Sequence, residues 1–178
     1  MRKTSFGRLS AGVLVLTSLA ASADVGNVTS TGFVAIFRDE VTASPNDVWQ
    51  AVTQLPRWWS NEHTYSGQAA RMTFDPQAGG CWCERWGANS VEHGRVLHAL
   101  PPRSLRVQGN LGPLQELPVN GVMTFTIAMQ ETKTIVRLTY RVAGPPDAGL
   151  EKVAPLVDQV LGQQFKRLVR FAETGKPE

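Results

Sequence analysis

The stretch "VDQVLGQQFKRLVRFAE", Val157–Glu173, decides how this chain is read. Val157, Val160, Leu161, Gln164, Phe165, Leu168 and Phe171 recur at helical spacing, and Val153 extends the stripe upstream. Positions spaced three and four apart fall on one side of a helix. Lys166, Arg167 and Arg170 place positive charge near the end, where the helix dipole favours it. The spacing predicts one long amphipathic helix over 149–173. Two residues sit awkwardly in it. Pro155 fits only if it lies in the first turn. Gly162 costs ~1 kcal/mol relative to Ala in mid-helix, so either a close approach to a neighbour or deliberately empty space is expected there.

Such a helix needs a surface on which to bury its stripe, and the upstream sequence supplies a sheet. "GFVAIFRDEVTAS", Gly32–Ser44, alternates, with Phe33, Ala35 and Phe37 on one face. "SPNDVWQAVTQL" follows. Ser44 is an N-cap, Pro45 fits the first helical position, and Val48, Val52 and Leu55 form an apolar stripe. Pro56 stops this helix, and "RWWS", Arg57–Ser60, reads as a second short turn or helix. From Ala70 to Val142, "ARMTFD", "CWCERW", "EHGRVLHAL", "SLRVQG", "VNGVMTFTIAMQ" and "TIVRLTYRV" read as strands joined mostly by short turns. Short turns make consecutive strands antiparallel. The predicted class is α+β: a curved antiparallel sheet of six to seven strands wrapped around the C-terminal helix. A curved sheet and a straight helix leave room for a cavity between them.

The N-terminus bears on compartment. Arg2, Lys3 and Arg8 precede a mostly apolar run, Leu9–Leu19, and Ala21-Ser22-Ala23 offers a cleavage site. This predicts a signal peptide over residues 1–23, hence export to the periplasm or beyond. Residues 24–31 read as a short tail and 32–174 as one domain. The chain has 18 Lys+Arg against 15 Asp+Glu. Removing the leader brings the two to parity, so the basic pI is no evidence for a nucleic-acid partner. No second apolar run suggests a membrane span.

The element order, together with "SPNDVWQAV", "PRWWS", "FDPQAGGCWCERW", "GRVLHALPPRSLRV" and "VDQVLGQQFKRLVRFAE", resembles the START-like, or SRPBCC, superfamily with its helix-grip fold. The "PQAGG" turn before an aromatic strand, then G-x-V and PP-x-x-L, is similar to the branch holding activators of heat-shock-protein ATPase and polyketide-cyclase-like proteins. The resemblance covers about residues 32–173. It implies an internal apolar pocket for a small hydrophobic ligand, and no single activity.

Motifs of common catalytic sites are missing: the sequence has no G-x-S-x-G, H-E-x-x-H, P-loop or G-x-G-x-x-G. No cofactor is expected. Candidate pocket walls are Trp58, Trp59, Trp82 and Trp86, with Met123 on a later strand and Val157, Leu161 and Phe165 on the terminal helix. In "GNLGPLQELP", Leu111, Leu114 and Leu117 are expected either to cap the mouth as a mobile lid, the favoured reading, or to pack under the loop. Glu84 is the candidate acid or base. The competing expectation is a solvent-facing ion pair with Arg85 or Arg95. His63, His93 and His98 are not at helix-ligand spacing and read as surface or satisfied side chains.

Cys81 and Cys83 leave three readings open. On an extended strand their Cα atoms stand ~6.6–6.8 Å apart, at the edge of the disulfide range, so a bond needs a bulge or bend. Unbonded thiols are the second reading. A soft-metal site with His98 is the third. Three functions follow: a carrier or sensor of a small apolar molecule, a cyclase- or dehydratase-like enzyme using the same pocket, or a co-chaperone-like interaction module. The first is the expectation carried forward.

Overall fold

The computed structural model describes residues 24–178; the leader read over residues 1–23 lies outside the described residues. Eight strands form one sheet in the order β1-β2-β8-β7-β6-β5-β4-β3, and every neighbouring pair is antiparallel. The strands are β1 (Asp24–Thr29), β2 (Gly32–Val41), β3 (Met72–Phe74), β4 (Cys81–Trp86), β5 (Asn89–Leu100), β6 (Ser104–Gln108), β7 (Asn120–Gln130) and β8 (Lys133–Ala143). Among the described residues three α-helices accompany the sheet: α1 (Pro45–Thr53), α2 (Leu55–Trp58) and α3 (Leu150–Thr174).

Two of these differ from the sequence expectation. The tail read over 24–31 is mostly strand: β1 pairs with β2 at one edge of the sheet. Its sequence, DVGNVT, alternates poorly, and Asn27 takes φ 58° where the pairing shifts register. The strand count among the described residues is therefore eight. Pro155 lies at the sixth position of α3, past the first turn, so the helix goes without one backbone donor inside its length.

The core follows from the period of two. Phe33, Ala35 and Phe37 of β2, Met123, Phe125 and Ile127 of β7, and Val136, Leu138, Tyr140 and Val142 of β8 all point inward and are buried. The stripe of α3 lies on them through Leu161, Phe165, Leu168 and Phe171. Phe165 meets Phe37 with ring centroids 5.9 Å apart. Gly162 is explained here: a Cβ would stand 3.3 Å from the Phe37 ring. The close approach expected from the sequence is this one. At the start of α1, Ser44 Oγ accepts from the Asp47 amide and donates to its carboxylate, as the cap reading predicted. Gly175 closes α3 with φ 73°, its amide donating to the Phe171 carbonyl.

Candidate functional site

At the β4 end of the interior the sheet stops being apolar. Strand alternation sends Trp82 and Glu84 inward, and Glu84 is fully buried. Three donors converge on its carboxylate. The Tyr65 amide reaches Oε2 at 3.1 Å, the Ser66 amide reaches Oε1 at 2.5 Å, and His93 Nε2 reaches Oε2 at 2.9 Å. The first two come from the loop that leaves α2. That loop is itself tied down: Trp59 Nε1 donates to the His63 carbonyl, and the Ser60 amide donates to Gln164 Oε1 on α3.

His93 reaches Glu84 through a bulge. In the β4–β5 ladder Trp82 faces Gly94 and Cys83 faces Glu92, so His93 is an extra residue between them. Bulges recur where a side chain must be re-aimed. Here the imidazole turns inward, 4 % exposed, with its ring 5.2 Å from Trp82 and 5.8 Å from Tyr65. Trp82 in turn packs edge-on to Trp59 at 4.9 Å, and Trp59 lies 5.6 Å from Trp58. The strands can close on one another here because Gly109 carries no side chain: a Cβ there would sit 2.2 Å from the His93 carbonyl oxygen.

The electrostatics separate the two groups. Burial works to raise the Glu84 pKa, but the donors from Ser66, Tyr65 and His93 outweigh it and hold the carboxyl below the usual carboxylate range. Burial pushes His93 below its ordinary value, and the opposing pull of Glu84 does not restore it. Near neutral pH the pair is a carboxylate and a neutral imidazole. The proton on Nε2 faces Glu84, which leaves Nδ1 as the acceptor nitrogen. On α3, the Nε2 group of Gln164 is buried without a partner. A groove of about 480 Å³, lined by residues including Glu92, His93, Gly94, Gly109, Asn110 and Gln115, adjoins this end.

The sequence candidates distribute unevenly around this centre. Trp58, Trp59, Trp82, Leu114, Met123, Leu161 and Phe165 are buried in one continuous core. Leu111, Leu117 and Val157 are half-buried against it, and Trp86 is half-buried on β4. The lid expectation needs correction. Gly112–Glu116 forms a 3₁₀ turn that drives Leu114 into the core at 0 % exposure, so this leucine holds the loop down. The surface ion-pair expectation for Glu84 is also overturned: Arg95 pairs with Glu92 on the outer face, while Glu84 pairs with His93 inside. The expectation for His93 is a surface or satisfied side chain. The imidazole is satisfied at one nitrogen and buried, and the bulge that places it leaves no mark in the periodicity.

Cys81 and Cys83 are bonded to each other, with Cα atoms 5.4 Å apart. Of the three readings the disulfide stands, and a bulge accompanies it, with the extra residue on the partner strand β5. The residue beside the sulfurs is Glu92; His98 lies exposed further along β5, opposite Arg106 of β6. Sulfurs joined in a disulfide are not thiolate ligands.

Comparison with known proteins follows the same lines. No curated protein matches the sequence. Among solved structures, CalU16 from Micromonospora echinospora is 19 % identical with a TM-score of 0.56, over 83 % of this chain and 78 % of that one. The Aha1 dimer from Colwellia psychrerythraea is 19 % identical with a TM-score of 0.55, over 80 % and 98 %. A conserved protein of unknown function, EF2215 from Enterococcus faecalis, is 13 % identical with a TM-score of 0.57, over 87 % and 78 %. These likenesses show the helix-grip fold. The family model described as Activator of Hsp90 ATPase homolog 1-like protein matches residues 42–173. With that match, the chain from α1 through all but the last residue of α3 falls within one family pattern, and the chain belongs to the Activator of Hsp90 ATPase homolog 1-like protein family.

Proposed function

We propose that this is an exported helix-grip protein that binds a small, largely apolar molecule carrying one hydrogen-bond donor, at the Tyr65–His93 end of the interior. The observation that carries this reading is the Glu84–His93 pair buried among Tyr65, Trp59 and Trp82. Taking a carboxylate and an imidazole out of water is costly, and packing alone would be served by apolar residues. The aromatic walls suit a ring or hydrocarbon skeleton, and Nδ1 of neutral His93 suits a hydroxyl or amide donor. The leader sequence supports export, which N-terminal sequencing of the mature protein tests: the first residue is expected to be Asp24.

Tryptophan fluorescence with matched probes tests the binding. 1-Naphthol is expected to bind several-fold more tightly than naphthalene, as one hydrogen bond to Nδ1 is worth about 1 kcal/mol. His93→Phe is expected to abolish that preference. Absence of saturable binding by both probes overturns the reading.

The pair also favours a second reading, proton transfer of the cyclase or dehydratase kind. Glu84, fully engaged by three donors, orients His93, and Nδ1 is the atom that would accept a proton. Glu84→Gln separates the two. A binding protein keeps its probe affinity within about twofold, whereas proton transfer loses rate with affinity preserved.

A further inference from the structure

We propose that the Cys81–Cys83 disulfide is a reversible redox element that fixes the bulge holding His93 against Glu84. A structural staple is a poor account of this bond. Cross-links stabilise by restricting the unfolded chain, and the effect grows with loop length. This one joins residues two positions apart, the short end of that scale.

Its geometric effect is local and larger. Two residues of extended strand span ~6.6 Å, yet these Cα atoms are 5.4 Å apart. The bond therefore shortens β4 by about one ångström around Trp82. The partner strand answers at the same rung. β5 carries one residue more than β4 between Glu92 and Gly94, and that residue is His93. A shortened strand opposite a lengthened one is a bulge, and this bulge aims the imidazole at Glu84. The disulfide lies on the outer face of β4 and its consequence lies on the inner face.

The bond is placed for exchange. Cys81 is half-buried and Cys83 buried, so an incoming thiolate meets the Cys81 sulfur first. With a small dithiol as reductant, its thiolate attacks Cys81 Sγ, the S–S bond breaks, and Cys83 leaves as a thiolate that takes a proton. The second thiol of the reductant then attacks the mixed disulfide and releases Cys81. The protein gains two electrons and two protons, and the reductant becomes a cyclic disulfide. Glu92 Oε2, 3.9 Å from Cys81 Sγ, stands ready to accept from the new thiol. Once released, the two Cα atoms return to strand spacing, the extra residue on β5 loses its counterpart, and His93 draws away from Glu84.

This holds whether or not a ligand binds, and it is read in the free protein. Imidazole resonances are followed by NMR against pH, with His93→Gln supplying the assignment. Intact mass is recorded with and without dithiothreitol. The expected result is a mass gain of about 2 Da in folded protein. The His93 titration midpoint, depressed in the oxidised form, rises toward its ordinary value by about half a pH unit or more. Cys81→Ala/Cys83→Ala is expected to match the reduced form. The proposal is overturned by an unchanged His93 titration in both reduced and variant protein. Free thiols in air-exposed protein, a bond that resists dithiothreitol in the native state, or unfolding on reduction each overturn it as well.

Discussion

The two ends of the interior are built on opposite terms. Around Gly162, the helix α3 and strand β2 meet through Phe37 and Phe165 with only apolar atoms between them. Around Glu84, the sheet and the loop after α2 enclose a carboxylate and an imidazole, and Gln164 of α3 holds that loop through the Ser60 amide. The first end needs no partner chosen for chemistry, because dispersion and water exclusion act on any well-shaped apolar group. The second needs named donors at fixed places. It draws them from the backbone of the loop after α2 and from a bulge in β5. Packing explains the first end completely. It does not account for the buried carboxylate and imidazole of the second.

This contrast can be broken in graded ways. Leu114→Asp is expected to be the most damaging change, costing more than ~4 kcal/mol, because it removes a fully buried side chain and leaves an unpaired carboxylate. Urea unfolding measures it, and a small loss would restore the lid reading. Phe165→Ala is expected to cost ~3–5 kcal/mol through the cavity it leaves against Phe37. Glu84→Ala is expected to cost about 3 kcal/mol, with Glu84→Gln milder, since three donors lose their acceptor. Equal effects of Ala and Gln would mean that the charge does not matter there.

Acidification separates the ends without mutation. The folded pKa of His93 is depressed below 6.5, so the neutral ring stabilises the fold fully above that pH. That contribution declines as pH falls from 6.5 toward the folded value. Glu84 is likewise depressed from 4.5, and its contribution is lost as pH falls through its own folded value. Both shifts act in the same direction, so melting temperature is expected to drop in two steps on the acid side. His93→Gln is expected to flatten the upper step. The smallest effect belongs to the apolar end. Gly162→Ala gains helix propensity of ~1 kcal/mol and crowds Phe37 at 3.3 Å, so the net change is expected within ~1 kcal/mol of zero by thermal unfolding.

The contrast also explains what the sequence could reveal. The apolar end was legible because burial there follows the two periodicities: alternate residues on β2 and β8, and the stripe on α3. Even Gly162 could be read as a point of approach. Strand alternation likewise puts Trp82 and Glu84 on one face, apart from Cys81 and Cys83. The partners of Glu84 were not legible. Tyr65 and Ser66 contribute backbone amides from a loop with no periodic pattern, and His93 arrives by a single-residue insertion in a ladder. Nearby arginines pointed to an ion pair on the surface, and Glu92 takes Arg95 instead. The disulfide was obscured for the same reason, since ideal strand spacing stretches the distance that the folded β4 contracts.

The position of β2 has a consequence for assembly. It forms ten rungs with β8, from Gly32↔Ala143 to Val41↔Thr134, joining residues 93 to 111 positions apart. Between them the chain crosses to the far edge of the sheet through α1 and α2 and returns strand by strand. Loops of that length close slowly, and sheets dominated by distant pairings fold on the millisecond-to-second scale. The hairpins from β3 to β8 can each form from neighbours, but β2 has its inner partner only once β8 exists. Until then its Phe33 and Phe37 have neither the inner sheet nor the long helix to cover them, and the last quarter of the chain is what turns β2 into part of a protein.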